Sequence, residues 1–373
     1  MKRLLSIYIL GHIFTLQLCA IHGQQPYPND TLNNHKAKEN FLIKLSDGID
    51  EVKRKIQEFD SYDTRYIEPN QFNYSLMLQN TNYWQHYTLR AKNELGKEQS
   101  INISPRPSIK VGPYFGWRWL FLGYTFDIDN MGRATGNTEF TLSLYSAKIG
   151  GDIMYIRNKG NFKIGDISGF EGIRNKSYNG TKFDGMKSYS TMVNVYYVFN
   201  HRRFSYPAAY AQSTIQRISA GSFMLGLRYD HHTIDFDHKR LPYELQFDKE
   251  GNPLLFNAMK LEKVHYYNAG ISLGYAYNWV LARNMLFNIS IMPSLGYKKT
   301  KGQPWDKDVL LNDVKTLNID FTTRAALVWN NSRWYAGMSF INYVYGYNRT
   351  YFNFRNSISY LKFYFGVNFN RKK

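Results

Sequence analysis

From Tyr267 to Trp279 the chain alternates without a break. Tyr267, Ala269, Ile271, Leu273, Tyr275, Tyr277 and Trp279 fall on one face, and Asn268, Gly270, Ser272, Gly274, Ala276 and Asn278 fall on the other. A period of two predicts a β-strand with one apolar side. The same pattern returns in Phe287–Tyr297 and Leu317–Trp329, and in shorter form in Leu120–Ile128, Phe140–Leu144, Val193–Phe199, Phe223–Tyr229 and Leu361–Phe369. The polar faces are small and neutral, rich in Gly, Ser, Asn and Ala, whereas a solvated sheet exterior carries Lys, Glu and Asp. The apolar faces end in aromatics such as Phe199, Tyr277, Trp279 and Trp329, as an interfacial girdle would. Runs of 10 to 15 residues also exceed the usual soluble strand of about 5–6 residues. These features favour an all-β, transmembrane, antiparallel up-and-down barrel over a soluble sandwich.

Spacing sets the strand count. Strands are expected near 107–114, 119–128, 138–147, 150–158, 186–199, 220–232, 262–280, 285–299, 314–330, 333–348 and 355–369, with one more from 72–104. That makes about 12 strands, with 10–14 open. Short links (115–118, 148–149, 281–284, 331–332) alternate with long ones (159–185, 233–261, 300–313), which predicts periplasmic turns and external loops. Two features fit poorly: link 200–219 is long on the short side, and Pro293 removes a ladder hydrogen bond.

Ahead of Pro69 the period changes. Phe41, Leu45, Ile49, Val52, Ile56 and Phe59 form one stripe of a charged helix between His35 and Phe59. Such a stripe can dock on the barrel, lie on a membrane or meet a partner protein; if it docks at the lumen, it can act as a plug. Residues 1–23 read as a cleaved export signal, with Lys2 and Arg3 before an apolar run; a membrane anchor is the alternative. Cys19 lies inside that run behind Leu18, a poor context for lipidation, and it is the sole cysteine of the 373 residues. A mature chain without cysteine can form neither a disulfide nor a thiolate nucleophile. The organisation expected is signal 1–23, periplasmic segment 24–69 and barrel 70–373, located in the outer membrane.

The net charge of +18 would permit nucleic-acid binding, but export and membrane strands argue against that partner. The basic loop residues Arg157, Lys159, Lys163, Arg174, Lys176, Lys182 and Lys187 can instead face lipid phosphate or simply be solvated. Expected partners are outer-membrane lipid, lipopolysaccharide and the barrel-assembly machinery; the oligomeric state is open.

Tyr66-Ile67-Glu68-Pro69-Asn70, Met77-Leu78-Gln79-Asn80-Thr81, the stretch from Val111 to Trp119 and Ser219-Ala220-Gly221-Ser222-Phe223 resemble an uncharacterised β-barrel family, a domain of unknown function, of Bacteroidetes-type Gram-negative bacteria. The resemblance covers most of 60–373 and implies an outer-membrane location. It carries no activity and no catalytic residues.

One cluster has metal-ligand chemistry: His231, His232, Asp235, Asp237 and His238, where a strand runs into a loop. A solvated loop start explains the same residues. The one G-x-S-x-G match, Gly270-Ile271-Ser272-Leu273-Gly274, sits inside an alternating strand and not at a strand-to-helix turn, so it is no nucleophile elbow and a lipid-modifying enzyme has no sequence signature; no catalytic residue and no cofactor is assigned. By parity Asp127, Glu139, Arg228, Asp230, Asn318, Asp320, Arg324 and Lys362 face the lumen, either pairing to fill it or lining a small channel or pocket. The favoured function is a structural or envelope-interaction barrel with a closed or narrow lumen; a small-solute diffusion channel or transporter is one alternative and a lipid-modifying barrel enzyme the other. An inward Ser272→Arg is expected to cost less than an outward Leu273→Arg.

Overall fold

The computed structural model describes residues 62–117, 120–128, 137–173, 178–304, 317–348 and 351–372. The predicted signal and the helix at 35–59 lie outside the described residues. In chain order the strands are β1 (Ile67–Pro69), β2 (Phe72–Lys92), β3 (Glu98–Pro105), β4 (Ser108–Trp117), β5 (Leu120–Gly123) and β6 (Phe126–Asp127). There follow β7 (Thr138–Tyr145), β8 (Ile149–Lys159), β9 (Phe162–Ser168), β10 (Lys182–Phe183), β11 (Met186–Val198) and β12 (Thr214–Gln216). The last six are β13 (Ala220–Phe236), β14 (Leu261–Ala282), β15 (Met285–Pro304), β16 (Leu317–Asn330), β17 (Trp334–Asn348) and β18 (Phe352–Arg371).

Long alternating runs pair with their sequence neighbours, and the wall is antiparallel throughout. It has twelve staves among the described residues: β2, β3 with β4, β5 with β6, β7, β8, β11 and β13 to β18. The C-terminal strand pairs with the first stave over nearly its whole length, from Phe352↔Ala91 to Arg371↔Phe72, so neither is left as an open edge. The ladder is continuous from β5 and β6 through that closure and round to β7; between β6 and β7 no ladder is present among the described residues. Across that seam Lys110 of β4 reaches Glu139 of β7 at 2.5 Å.

Arg106 and Pro107 split the second stave. Its inner half, β4, stays with β2, while its outer half, β3, also pairs with β9 and so extends the sheet beyond the wall. Pro293 is accommodated inside β15: the ladder to β14 runs to Ser272↔Ser294 and resumes at Tyr275↔Ile291.

Polarity is inverted relative to a soluble protein. On β14, Ser272, Ala276 and Asn278 are buried, while Ile271 and Leu273 are 58% exposed. Leu78, Leu227, Leu295 and Ile319 are exposed on neighbouring staves. Exposed Tyr229, Tyr267 and Tyr297 bound this band toward the long loops; Trp279, Trp329 and Trp334 bound it toward the short turns. The twelve residue steps of strand from Tyr267 to Trp279 are about 40 Å, which at a tilt of about 40° spans about 30 Å, the thickness of a bilayer's apolar core.

Candidate functional site: the barrel interior

All eight residues assigned to the lumen by parity face inward. Arg228, Asp230, Asn318, Asp320 and Arg324 are buried, Glu139 and Lys362 line an internal chamber, and Asp127 shares the face of its register partner Lys110. Asp320 and Arg324 point the same way on β16 but belong to different ion clusters.

The outer cluster is built on β13 to β17. Asp320 accepts from Asn268 at 2.9 Å and Asn318 at 2.8 Å, and it meets the Lys298 ammonium at 3.2 Å. Asp230 accepts from Asn268 at 3.0 Å, and Arg228 lies 3.8 Å from Asp230 and 3.9 Å from Asp320. Two carboxylates therefore balance one guanidinium and one ammonium. The β16–β17 ladder stops at Phe321↔Val344, which frees the backbone of Gly346; its N–H donates to Asp320 at 2.9 Å, and its carbonyl accepts from Asn318 and Lys298. The Arg228 guanidinium lies 4.6 Å above the Tyr345 ring.

The inner cluster is a single pair. Arg324, among the largest fully buried side chains, binds Asp152 directly and donates to the Tyr145 hydroxyl at 3.0 Å. Ser143 holds the other oxygen of Asp152 at 2.7 Å. The rings of Tyr196, Tyr206, Tyr210 and Tyr343 surround the guanidinium at 5.7–6.0 Å, giving a cation an aromatic cage in place of water. Inward glycines make room for such rings: a Cβ on Gly150 would stand 2.2 Å from the ring of Tyr196, its register partner.

Both ends are filled. At the short-turn end the ill-fitting link 200–219 folds into the lumen, carrying α1 (Pro207–Tyr210) and pairing β12 with β1. The wall's small polar residues hold it. Ser290 meets the Tyr206 hydroxyl at 2.7 Å, Asn288 accepts from Tyr210 at 2.7 Å, and Asn278 donates to the Ser205 carbonyl at 2.8 Å. At the long-loop end, Leu241, Leu245, Leu255 and Met259 pack with Phe162, Ile164 and Phe183 against the wall residues Tyr87, Tyr266 and Phe354. A void of about 10 Å³ in this region is at the lower limit for a single water molecule, and its lining of Leu89, Ile234, Phe236, Val264 and aromatic rings is apolar.

Between the ends lies a chamber of about 370 Å³, lined by Lys110, Glu139, Thr81, Lys362, Tyr343 and Tyr360 among others, floored by Tyr210 to Gln212 of the plug, and reaching the exposed Tyr124 and Phe140 at the β6–β7 seam.

The histidine cluster does not converge. His231 faces outward, stacked on Tyr267 with ring centroids 4.3 Å apart, while its neighbour His232 faces inward. Asp237 caps the turn Asp237–Arg240 and holds the Lys239 N–H and Arg240, and burial pushes the His238 imidazole below its usual proton affinity. Asp235 lies on the outward face with His231. Among the described residues no three His, Cys, Asp or Glu side chains are grouped to hold a metal. Alternation is the reason: adjacent strand residues cannot share a face.

One arrangement escaped the sequence. Ser190 of β11 meets His232 Nδ1 at 2.8 Å, and His232 Nε2 lies 3.3 Å from Asp230. The trio has the composition of a nucleophilic triad, but Asp230 is already engaged by Asn268 and Arg228, and Ser190 is buried away from the residues lining the chamber. It braces the outer cluster. The register Ser190↔His232 joins residues 42 apart, which no local spacing reveals.

Residues 61–369 match the model of a domain of unknown function (DUF4421), and the chain belongs to that family. No functionally curated protein matches. Among solved structures, the outer-membrane protease OmpT of Escherichia coli aligns over 82% of this chain and 100% of its own, at 6% identity and a TM-score of 0.38. OprG of Pseudomonas aeruginosa aligns over 81% and 98% (10% identity, TM-score 0.24). The toluene transporter TodX of P. putida aligns over 84% and 96% (8% identity, TM-score 0.24). Likenesses this distant bear on neither proteolysis nor transport in this chain.

Proposed function

We propose that this member of the DUF4421 family is an outer-membrane barrel with a sealed lumen, serving envelope structure or interaction through its surfaces rather than passing solute through its interior. The observation that carries the reading is the filling of both ends, by link 200–219 at one and by packed loops at the other, with two ion clusters, each neutral within itself, in between. The membrane assignment rests on the apolar exterior band and its aromatic borders, together with the export signal read in residues 1–23. Lipid and lipopolysaccharide are its surroundings, the barrel-assembly machinery inserts it, and an origin in a Bacteroidetes-type bacterium belongs to the same reading. Planar-bilayer recording of the full-length protein tests the function: the expected trace is closed. A large, stable, porin-like conductance would overturn the proposal and make diffusion channel the function.

A further inference from the structure

The outward face of β8, β11, β13, β14 and β15 changes character just beyond the tyrosines that bound the apolar band. Cross-strand register defines three rows. The first, Tyr155, Thr191, His231, Tyr267 and Lys299, is the girdle itself. The second contains Arg157, Tyr189, Thr233 and His265, and the third Lys159, Lys187, Asp235 and Lys263. Registered neighbours stand about 5 Å apart and alternate rows about 7 Å, so these side chains form one continuous field. It holds five permanent cations (Arg157, Lys159, Lys187, Lys263 and Lys299) against one carboxylate, Asp235.

The cations are available. Lys159, Lys187, Lys263 and Lys299 are exposed, and among the described residues none of the five forms a salt bridge. Elsewhere at this end several basic groups are spent on acids: Arg90 and Lys92 both face Glu98, and Lys97 pairs with Glu171. Arg157 lies 5.7 Å over the Tyr189 ring, which holds the guanidinium against the wall at the height of the field. The opposite side of the barrel differs: outward positions on β16 to β18 are Leu317, Ile319, Asn342 and Ser357, with Arg355 alone.

We propose that this field is a docking site for the phosphate groups of an outer-leaflet lipid, resting on the membrane assignment above. Position and polarity select the ligand. The field adjoins the exposed apolar residues Tyr229, Tyr297 and Leu227, so a molecule that fills both has phosphates at the top and acyl chains below. The long loops mark this end as external, where phosphorylated glycolipid is the lipid of that chemistry. A phosphate among several lysines and one arginine gains Coulombic attraction that salt weakens, and beside a low-dielectric bilayer the attraction is less screened than in free solution.

The test uses the full chain in maltoside detergent, titrated with fluorescent bis-phosphorylated lipid A and with its dephosphorylated form. Wild type is expected to bind the phosphorylated form at least about tenfold more tightly, with affinity falling as salt rises. The triple variant Lys187→Glu, Lys263→Glu, Lys299→Glu should lose at least about tenfold, and the Lys→Gln version a smaller amount. A control that changes the net charge equally in the loops (Lys163→Glu, Lys239→Glu, Lys249→Glu) should stay within about twofold, because those lysines lie outside the field. Heat-modifiable gel mobility reports folding, and the Lys→Gln version carries the test if charge reversal prevents it. Equal loss in the loop control, wild-type affinity in both patch triples, or displacement by millimolar inorganic phosphate would each overturn the assignment. A conducting barrel with an intact lipid site would remove the sealed-lumen reading and leave this one standing.

Discussion

Arg324→Met separates a structural ion pair from an ornamental one. The substitution keeps most of the volume of the side chain and removes its charge, leaving Asp152 without its counter-charge in a fully buried site. The carboxylate would retain only the Ser143 hydroxyl at 2.7 Å among its observed partners. Breaking a buried pair by removing one member costs about 3–5 kcal/mol, whereas replacing both members with uncharged groups of similar size is often close to neutral. The single variant should therefore lose about 4 kcal/mol, most of it from the stranded carboxylate, with smaller losses from the Tyr145 hydrogen bond and the four-ring cage. Adding Asp152→Asn should recover about 2–3 kcal/mol of that loss, a coupling readable in a double-mutant cycle. Urea titration of the folded barrel in lipid vesicles, followed by tryptophan fluorescence and gel mobility, measures both. A single variant that costs under about 1 kcal/mol, or a double variant no more stable than the single, would refute a dry, mutually dependent pair.

Leu273→Arg places a charge on the lipid face midway between Tyr267 and Trp279 and should cost about 2–4 kcal/mol in the same titration. Ser272→Arg should be no cheaper, contrary to the expectation from sequence: Ser272 Oγ would stand 2.4 Å from a Cβ on Gly226, so an inward arginine meets packed protein rather than water. A well-folded Ser272→Arg barrel would point to unfilled lumen at that level. Deleting residues 361–373 removes the half of β18 that pairs with β2 from Asn82 to Phe72, and should leave aggregated or degraded protein; heat-modifiable, membrane-inserted barrel from that truncation would contradict the closure. Replacing 201–216 by a short Gly/Ser linker should open the inner end yet leave planar bilayers without porin-like conductance, because the outer cluster and the packed loops remain; a large conductance would make the plug the sole barrier.

Much of this architecture was legible because strand alternation is long and regular. The twelve staves and the inward direction of all eight assigned lumen residues follow from parity and link length alone. What a lumen contains is harder to read. The Gly, Ser and Asn positions that separate the two faces of β14 and β15 look like spacing for water, yet Asn278, Asn288 and Ser290 hold a folded segment. The clue was present as an anomaly, since a 20-residue link where a tight turn suffices has to go somewhere. The histidine cluster shows the opposite error: parity placed His231 and His232 on different faces, and composition drew them together. Long-range register stayed invisible, so the meetings of Arg324 with Asp152, 172 residues apart, and of Ser190 with His232 had no signal in the chain.

The order of layers inside the barrel explains why the charges can be there at all. Reading from the short-turn end, the plug aromatics Phe204, Tyr206 and Tyr210 come first, then Arg324 with Asp152. A belt of Met154, Met192, Tyr343 and Tyr360 follows, then Arg228, Asp230, Lys298 and Asp320, and finally the apolar cluster under the long loops. Wall side chains fill an eight-stranded barrel, but a twelve-stranded one is too wide for them. Filling it with hydrocarbon alone would leave the backbone groups freed at the end of the β16–β17 ladder, and those of the plug, without partners, each a cost of about 1–3 kcal/mol. The ion clusters occupy that width, and the outer one satisfies the first of those groups: Asp320, Asn318 and Lys298 take both the N–H and the carbonyl of Gly346, while Asn278 and Gln216 hold the backbone of the plug. Each cluster is neutral within itself and lies between apolar layers, so neither offers a passing ion an unmatched charge. A charged interior of this kind resists conduction for the same reason that it is stable.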